Sequence, residues 1–507
     1  MKPKPIPHPA SPLLCGESTS STSSLPGSCS VKEVNIALNP VLLAATDLSA
    51  FIPAASTQTF LPTNSECTSA DRWPQGPGTP LDAQAPDPEL IEILGAVDPD
   101  RIKTIVTKLV SFGTRHTLSN QTDPKRGIGA ARDWIASEMR TYAAASNGRM
   151  TVTVPSYVQA PVGRIPNSTV ISNILATLKG SKDPNRTYVV SGHYDSRVSD
   201  VLNYQNDSPG ADDDASGVAV SMELARIMAT RNPAATIIFA AVAGEEQSLF
   251  GSDFLAKQLK SAGVDVQGML NNDIVGSPVA DDGKSDPFVV RMFTQGISST
   301  DEGNSSSVSS IVTLGAESDS PTRQLGRSIA EVASNSLTEM NVQSLYRPDR
   351  YNRGGDHLSF LEQGFPAVRF TEPHENFAHQ HQDVRVVNGV QYGDLIEFCD
   401  FEYIARVARV NAAGVWSLAQ GPGTPKNVRI DASILTNNST LRWTPDPNAD
   451  GGYEVVWRAT DQPAWTNVIS VGQTSTTTVQ LSKDNVQFGI RAVGKNGFRS
   501  PAAYPRP

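Results

Sequence analysis

Cysteine is scarce in this chain: of four in 507 residues, Cys15, Cys29 and Cys67 precede any patterned segment and only Cys399 lies within one. No disulfide framework and no cysteine-built metal site can be assembled from that set. Any metal must then be held by His, Asp and Glu, whose nitrogen and oxygen atoms suit zinc, manganese or magnesium. Dense runs of lysine or arginine are also missing, and the formal charge is -10, from 42 basic against 52 acidic residues. Gripping a phosphate backbone takes clustered basic side chains, so nucleic acid is not an expected partner. Long apolar runs are absent as well. The most apolar leader stretch, residues 34–55, is broken by Pro40, Asp47 and Pro53, and falls short of the about 20 residues a membrane span needs.

Lys2 and Lys4 resemble the charged start of a secretion signal, but Pro3, Pro5, Pro7 and Pro9 follow where an apolar stretch belongs. The segment 34–55 would then be the remnant of a mis-assigned start. Asn-x-Ser/Thr acceptors at Asn120, Asn167, Asn185, Asn206, Asn304, Asn437 and Asn438 fit surface glycosylation. The expected location is secreted or extracellular.

What is present falls into three parts. Residues 1–85 are rich in Ser, Thr and Pro without a sustained period, which reads as a disordered leader or propeptide. Residues 86–419 alternate apolar strands with amphipathic helices, the pattern of an α/β domain on a mainly parallel sheet. The clearest strands are 188–191, 236–242, 266–271 and 367–370, and the clearest helices 130–144, 216–229 and 392–419. Functional residues are expected just past the strand ends. The breaker-rich segment 420–425 then introduces residues 420–507, a series of short alternating runs that fits a sandwich of seven strands. Such a linker implies a module that folds apart from the α/β domain. This pattern resembles a fibronectin type III module, with Trp443 at the early core tryptophan and Val486 where that family often has a tyrosine. Its expected roles are attachment to substrate or a cell surface, and stabilisation.

Five segments carry acid or histidine near strand ends: Ser191-Gly-His-Tyr-Asp-Ser196, Gly210-Ala-Asp-Asp-Asp-Ala-Ser-Gly217, Gly244-Glu-Glu246, Asn271-Asn-Asp273 and Ala378-His-Gln-His-Gln-Asp383. A buried carboxylate is unfavourable unless paired or metal-bound. Helix capping accounts for one Asp cluster and a solvated loop for one Glu pair, but not for five such segments together.

The order and wording of these segments resemble the co-catalytic dizinc aminopeptidases, the peptide hydrolase family that includes bacterial leucyl aminopeptidase, over roughly residues 87–418. The resemblance implies a zinc exopeptidase fold with two Zn2+ per chain, held by His193, Asp213, Glu246, Asp273 and His379. Asp213 would bridge the ions and Asp195 would orient His193. Glu245 would act as general base, and the Asp213–Asp214 peptide would be cis. His379, four residues before Asp383, takes the last ligand position, with His381 and His374 as alternatives. Ile274, Arg353, Asp356 and Ala378 are the residues expected around the substrate. Peptides or proteins are the implied substrates, cleaved at the N-terminus. A carboxypeptidase or dipeptidase of the same fold, a single-zinc glutaminyl cyclase, and a metal-free binding ectodomain are the alternative readings.

Overall fold

The computed structural model describes residues 73–297 and 305–507; the leader through residue 72, with Cys15, Cys29 and Cys67, and the acceptor Asn304 lie outside them. Ala235–Val242 is buried at every position, and a strand covered on both faces must be apolar throughout. It belongs to an eight-stranded sheet whose members, in chain order, are β1 Met150–Thr153, β2 Ile174–Leu178, β3 Asp183–His193, β4 Ala235–Val242, β5 Asp265–Asn272, β6 Val289–Phe293, β7 Asn341–Leu345 and β8 Ala367–Thr371. The spatial order is β7-β6-β8-β5-β3-β4-β2-β1. The inner strands β8, β5, β3 and β4 run parallel, as do β6 and β7. The β6–β8, β2–β4 and β1–β2 pairs are antiparallel. The expected α/β class and mainly parallel sheet are what the structure has.

Eight helices cover this sheet: α1 Pro88–Gly95, α2 Pro99–Val110, α3 Ile128–Ala144, α4 Ala215–Met228, α5 Phe250–Ser261, α6 Pro321–Ala333, α7 His357–Glu362 and α8 Phe401–Gln420. Alternation along the strands divides the core in two. Tyr188, Val190, Phe239 and Leu270 face α1 to α4, α6 and α8, whereas Val189, Ile238, Ala240 and Met269 face α5 and α7. From β3 the chain goes to β4 on one side and then returns to β5 on the other. That reversal opens a crevice at the carboxyl ends of β3 and β5. The last helix starts nine residues later than the expected 392, because Gly393 has φ 112° and Asp400 caps the helix by accepting from the Tyr403 amide at 2.9 Å. The short strands β1, β2, β6 and β7 were not among the clear runs.

The C-terminal part is a sandwich. Its strands β9 Lys426–Ile430, β10 Ser439–Thr444 and β13 Thr476–Val479 form one antiparallel sheet, in the order β9-β10-β13. β12 Asn467–Gly472, β11 Gly452–Ala459 and β14 Val486–Val493 form the other, and a two-residue strand at Thr79–Pro80 extends it beside β12. Val428, Leu441 and Trp443 from the first sheet pack against Tyr453, Val455, Trp457, Phe488 and Ile490 from the second. Residues 77–81 thus depart from the expected leader. Thr79 and Pro80 pair with Val468 and Asn467, and the Trp457 indole donates to the Pro77 carbonyl at 2.9 Å.

The segment after α8 is bound at both ends rather than free. Arg186, 1 % exposed, donates to the carbonyls of Leu418 at 3.0 Å and Gly421 at 2.7 Å, and the Thr424 amide donates to Gln267 at 3.0 Å. Residues 74–507 form one compact unit, with buried polar pairs between sandwich and α/β domain. Asp319 meets Arg458 of the sandwich at 2.7 Å and Arg327 of α6 at 2.8 Å, and Trp465 donates to Gln324 at 3.0 Å. Removing one partner of a buried ion pair strands the other. Asp319→Ala should therefore lower unfolding stability by about 3 to 5 kcal/mol, measured by urea titration. A loss below about 1 kcal/mol, the value of an exposed pair, would show that this contact does not anchor the sandwich.

Candidate metal centre

His193 is the last residue of β3, Asp273 follows β5, the Glu245–Glu246 pair follows β4, and Asp213 precedes α4. Each lies at the carboxyl edge of the sheet because the chain turns there. Asp214 fixes the turn by capping α4: its Oδ1 accepts from the Gly217 amide at 3.0 Å and its Oδ2 from the His193 amide at 2.8 Å. A Cβ on Gly192 would sit 2.4 Å from the Gly217 backbone, so only glycine lets strand and helix approach this closely. The Asp213–Asp214 peptide is cis, as the resemblance implies.

Two groups of ligand atoms result, and they share Asp213. His193 Nε2 lies 3.1 Å from Asp213 Oδ1 and 4.0 Å from Asp273 Oδ1. On the other side His381 Nε2 lies 2.7 Å from Asp213 Oδ2 and 2.9 Å from Glu246 Oε1. Within each of the groups His193-Asp213-Asp273 and Asp213-Glu246-His381, the ligand atoms all fall within 4.8 Å of one another. The orientation of each member is fixed from behind. His193 Nδ1 is 3.1 Å from the Asp195 carbonyl, which sets the tautomer that leaves Nε2 free. Asp195 also accepts from the amides of Glu245 at 3.3 Å and Glu246 at 3.2 Å, so it holds the Glu-Glu turn as well. Arg197 donates to Glu246 Oε2 at 2.7 Å, and Arg369 to Asp273 Oδ1 at 2.8 Å.

Electrostatics sorts the carboxyls into charged and neutral. Burial opposes ionisation of Asp213, but His381 and His193 hold its carboxyl well below the usual range. Burial is likewise outweighed at Glu246, which His381 and Arg197 draw down to about 2. The same contacts lift His381 to about 9 against burial. Glu245 goes the other way: burial raises its carboxyl well above the usual range, and the neighbouring charges of Asp273, Glu246 and Asp356 add to this. Asp213 and Glu246, held ionised beside His381, favour a cation there, whereas burial raises the Asp273 carboxyl on the His193 side against the pull of Arg369 and His193.

One expected ligand is misplaced. His379 does not reach the cluster; its ring is stacked on Phe398, with centroids 3.6 Å apart and planes 9° from parallel. His381 takes that place, because its backbone has φ 56° and the turn directs its side chain inward. Counting back from Asp383 cannot detect such a turn. Of the expected substrate residues, Ile274 and Arg353 line a cleft of about 380 Å³ together with Asp213, Glu245, Glu246, Asp273 and His381. Asp356 and Ala378 do not border it. Asp356 is fully buried, with a carboxyl that burial raises to about 7, and Ala378 faces Gly393, whose amide its carbonyl accepts at 3.2 Å. Asp394 carried no motif, yet its two carboxylate oxygens accept the amides of Asp212 and Asp213 at 2.8 Å each. Asp349, paired with Arg369 at 3.0 Å, was equally silent in the sequence.

The donor set suits zinc: two imidazoles and three carboxylates, with no thiolate among the described residues. Glu246 Oε1 is buried without a hydrogen-bond partner although His381 Nε2 lies 2.9 Å away. Two groups that face each other without bonding point at a common third atom. His381→Ala should therefore lower the zinc content of purified protein, measured by elemental analysis, whereas His379→Ala should retain it. Metal loss in His379→Ala with retention in His381→Ala would restore the assignment based on spacing.

Residues 173–387 match the model of Peptidase family M28. The chain is 55% identical over 467 residues to a protein of Pyrenophora teres f. teres described as a probable zinc metalloprotease, covering 92% of this chain and 96% of that one. It is 57% identical over 451 residues to a protein of the same description from Pyricularia oryzae, covering 87% and 89%. Among solved structures it is similar to the LapA aminopeptidase of Legionella pneumophila, with a TM-score of 0.48 and 17% identity over 68% of this chain and 78% of that one. With ligands for zinc gathered at the carboxyl edge of the sheet and relatives of more than half identity along nearly their whole length, the chain belongs to peptidase family M28 and is a zinc metallopeptidase.

Proposed function

We propose that this peptidase is an aminopeptidase that works with two zinc ions and uses Glu245 as its general base. The observation that carries this reading is the sharing of Asp213 between two ligand groups, with a carboxyl outside both of them alongside. His193, Asp213 and Asp273 would hold one ion and Asp213, Glu246 and His381 the other. When bound, such a pair supplies Lewis acidity toward the scissile carbonyl and acidifies water. The protein's own part is proton handling and positioning. Glu245 is half-buried, enters no ion pair among the described residues, and has its carboxyl raised by burial. A carboxyl whose affinity for a proton is raised in this way suits a group that takes a proton from water and hands it to the leaving amine. Asp195 holds that carboxyl's backbone in place through the Glu245 amide.

Exopeptidase action is supported by the small cleft of about 380 Å³, near the lower end of the range for small-ligand pockets. Ile274, with φ 61°, stands beside Asp273 in its wall. An extracellular setting is supported by the acceptor asparagines Asn120, Asn167, Asn185, Asn206, Asn437 and Asn438, all exposed. For the fibronectin type III-like sandwich, the buried Asp319–Arg458 pair favours stabilisation of the enzyme over a freely swinging attachment arm.

Replacing Glu245 by Gln keeps size and shape and removes the proton acceptor. Turnover on aminoacyl-p-nitroanilides should fall by about 10² to 10⁴-fold while zinc content stays the same. Glu246→Gln should lose metal together with activity. Full turnover in Glu245→Gln, or metal loss there with retention in Glu246→Gln, would overturn the assignment of roles.

A further inference from the structure

Four arginines line the metal cleft: Arg164, Arg197, Arg350 and Arg353. Two are neutralised. Arg197 is paired with Glu246 at 2.7 Å, and Arg350 lies between Asp349 at 3.1 Å and Glu375 at 2.8 Å. Arg164 and Arg353 are exposed and form no direct ion pair among the described residues, although Glu375 lies within electrostatic reach of Arg353. Each is steadied by a neutral acceptor instead. Arg164 Nη1 donates to the Glu246 carbonyl at 2.7 Å, and with the Gln380 amide turned to the orientation that satisfies both its ends, Arg353 Nη2 donates to the Gln380 side-chain oxygen at 2.7 Å. Arg164 is held further by its neighbour Ile165, which is fully buried and exchanges backbone hydrogen bonds with Val162 at 2.8 Å. Both guanidiniums are thus held at the cleft with donors to spare.

The charges of the cleft sharpen this point. Of its four carboxyls, Asp213, Glu246 and Asp273 would be occupied by cations, which leaves Glu245 alone to set against the two unpaired arginines. A positive cleft results on a chain whose net charge is -10. A guanidinium matches a carboxylate geometrically, with paired N–H donors facing paired oxygens. We propose that Arg164 and Arg353 select substrates that carry a carboxylate close to the scissile bond. This inference rests on the aminopeptidase reading and adds a substrate class to it. The carboxylate has two chemical sources: the terminal carboxylate of a di- or tripeptide, and an acidic side chain.

Matched substrate pairs that differ only in that charge test the idea. Leu-Ala against Leu-Ala-amide probes the terminal carboxylate, and Asp-Ala-amide against Asn-Ala-amide and Leu-Asp-amide against Leu-Asn-amide probe the side chain. In zinc-loaded wild type, kcat/KM for the charged member of at least one pair should exceed its partner by about tenfold or more, the scale of one hydrogen bond between charged groups. The difference should lie mainly in KM and shrink as salt is raised. In Arg164→Gln, Arg353→Gln and the double variant, that ratio should collapse toward one. A merely structural role would lower both members of a pair together and leave the ratio standing, which would overturn the proposal. So would a wild type without preference in any pair. If only N-acetylated versions of these peptides are cleaved, the aminopeptidase reading fails on its own. The charged-to-neutral ratio measured on the acetylated pairs then decides the arginine proposal separately.

Discussion

Everything at the carboxyl edge of the sheet depends on burying several carboxylates within a few ångströms of one another. Like charges so close cannot all ionise without cations between them. Asp213 shows how the fold resolves this. Its two oxygens face two imidazoles, and its amide, with that of Asp212, is held by Asp394. Around it the carboxyls divide. Asp213 and Glu246 stay ionised, while burial raises Asp212, Asp214 and Glu372 well above the usual range. Asp213 and Glu246 belong to the ligand groups, as does Asp273, which burial also raises, whereas Asp212, Asp214 and Glu372 cap, brace and close turns behind them. A buried polar set of this kind is favourable only when every member is satisfied, which is why arginines recur behind it. Arg197, Arg369 and Arg350 each sit against a carboxylate.

Legibility in the sequence followed the range of the forces involved. The inner strands β3, β4, β5 and β8 were readable because burial on both faces requires apolar runs, α3 because its periodicity is local, and α4 because Asp214 caps it. The edge strand β1 and its neighbour β2 are short, and β2 pairs on its other side with β4, far along the chain, so nothing local marked them. His193, Asp213, Glu245, Glu246 and Asp273 stand in the first turn after a strand or before a helix, where local order fixes direction. His381 lies in an irregular loop, where one residue at φ 56° decides which of two nearby histidines turns inward. Spacing alone chose His379. Asp394 and Asp349 act through the fold only, one by backbone amides and the other through Arg369, so their neighbours in sequence carried no sign of it.

The sandwich illustrates a related limit. Its alternating runs foretold two packed sheets, and the glycine and proline of the connecting segment suggested a free tether. The segment is instead bound by Arg186 and Gln267, and the buried Asp319–Arg458 pair joins the two cores. A composition rich in turn residues tells where a chain can bend, not whether the bend is held. The strand at Thr79–Pro80 makes the same point from the other end, since two residues cannot display a period. Together these contacts bind the start and the end of the described chain to one body.

We propose that Asp213 is shared by two ions. Anomalous scattering at the zinc edge, recorded from crystals of the zinc-loaded protein, tests it most directly. Two peaks about 3.5 to 4 Å apart should flank the Asp213 carboxylate, one beside His193 and Asp273 and the other beside Glu246 and His381. A single peak, or a second peak ligated by His379, would contradict it.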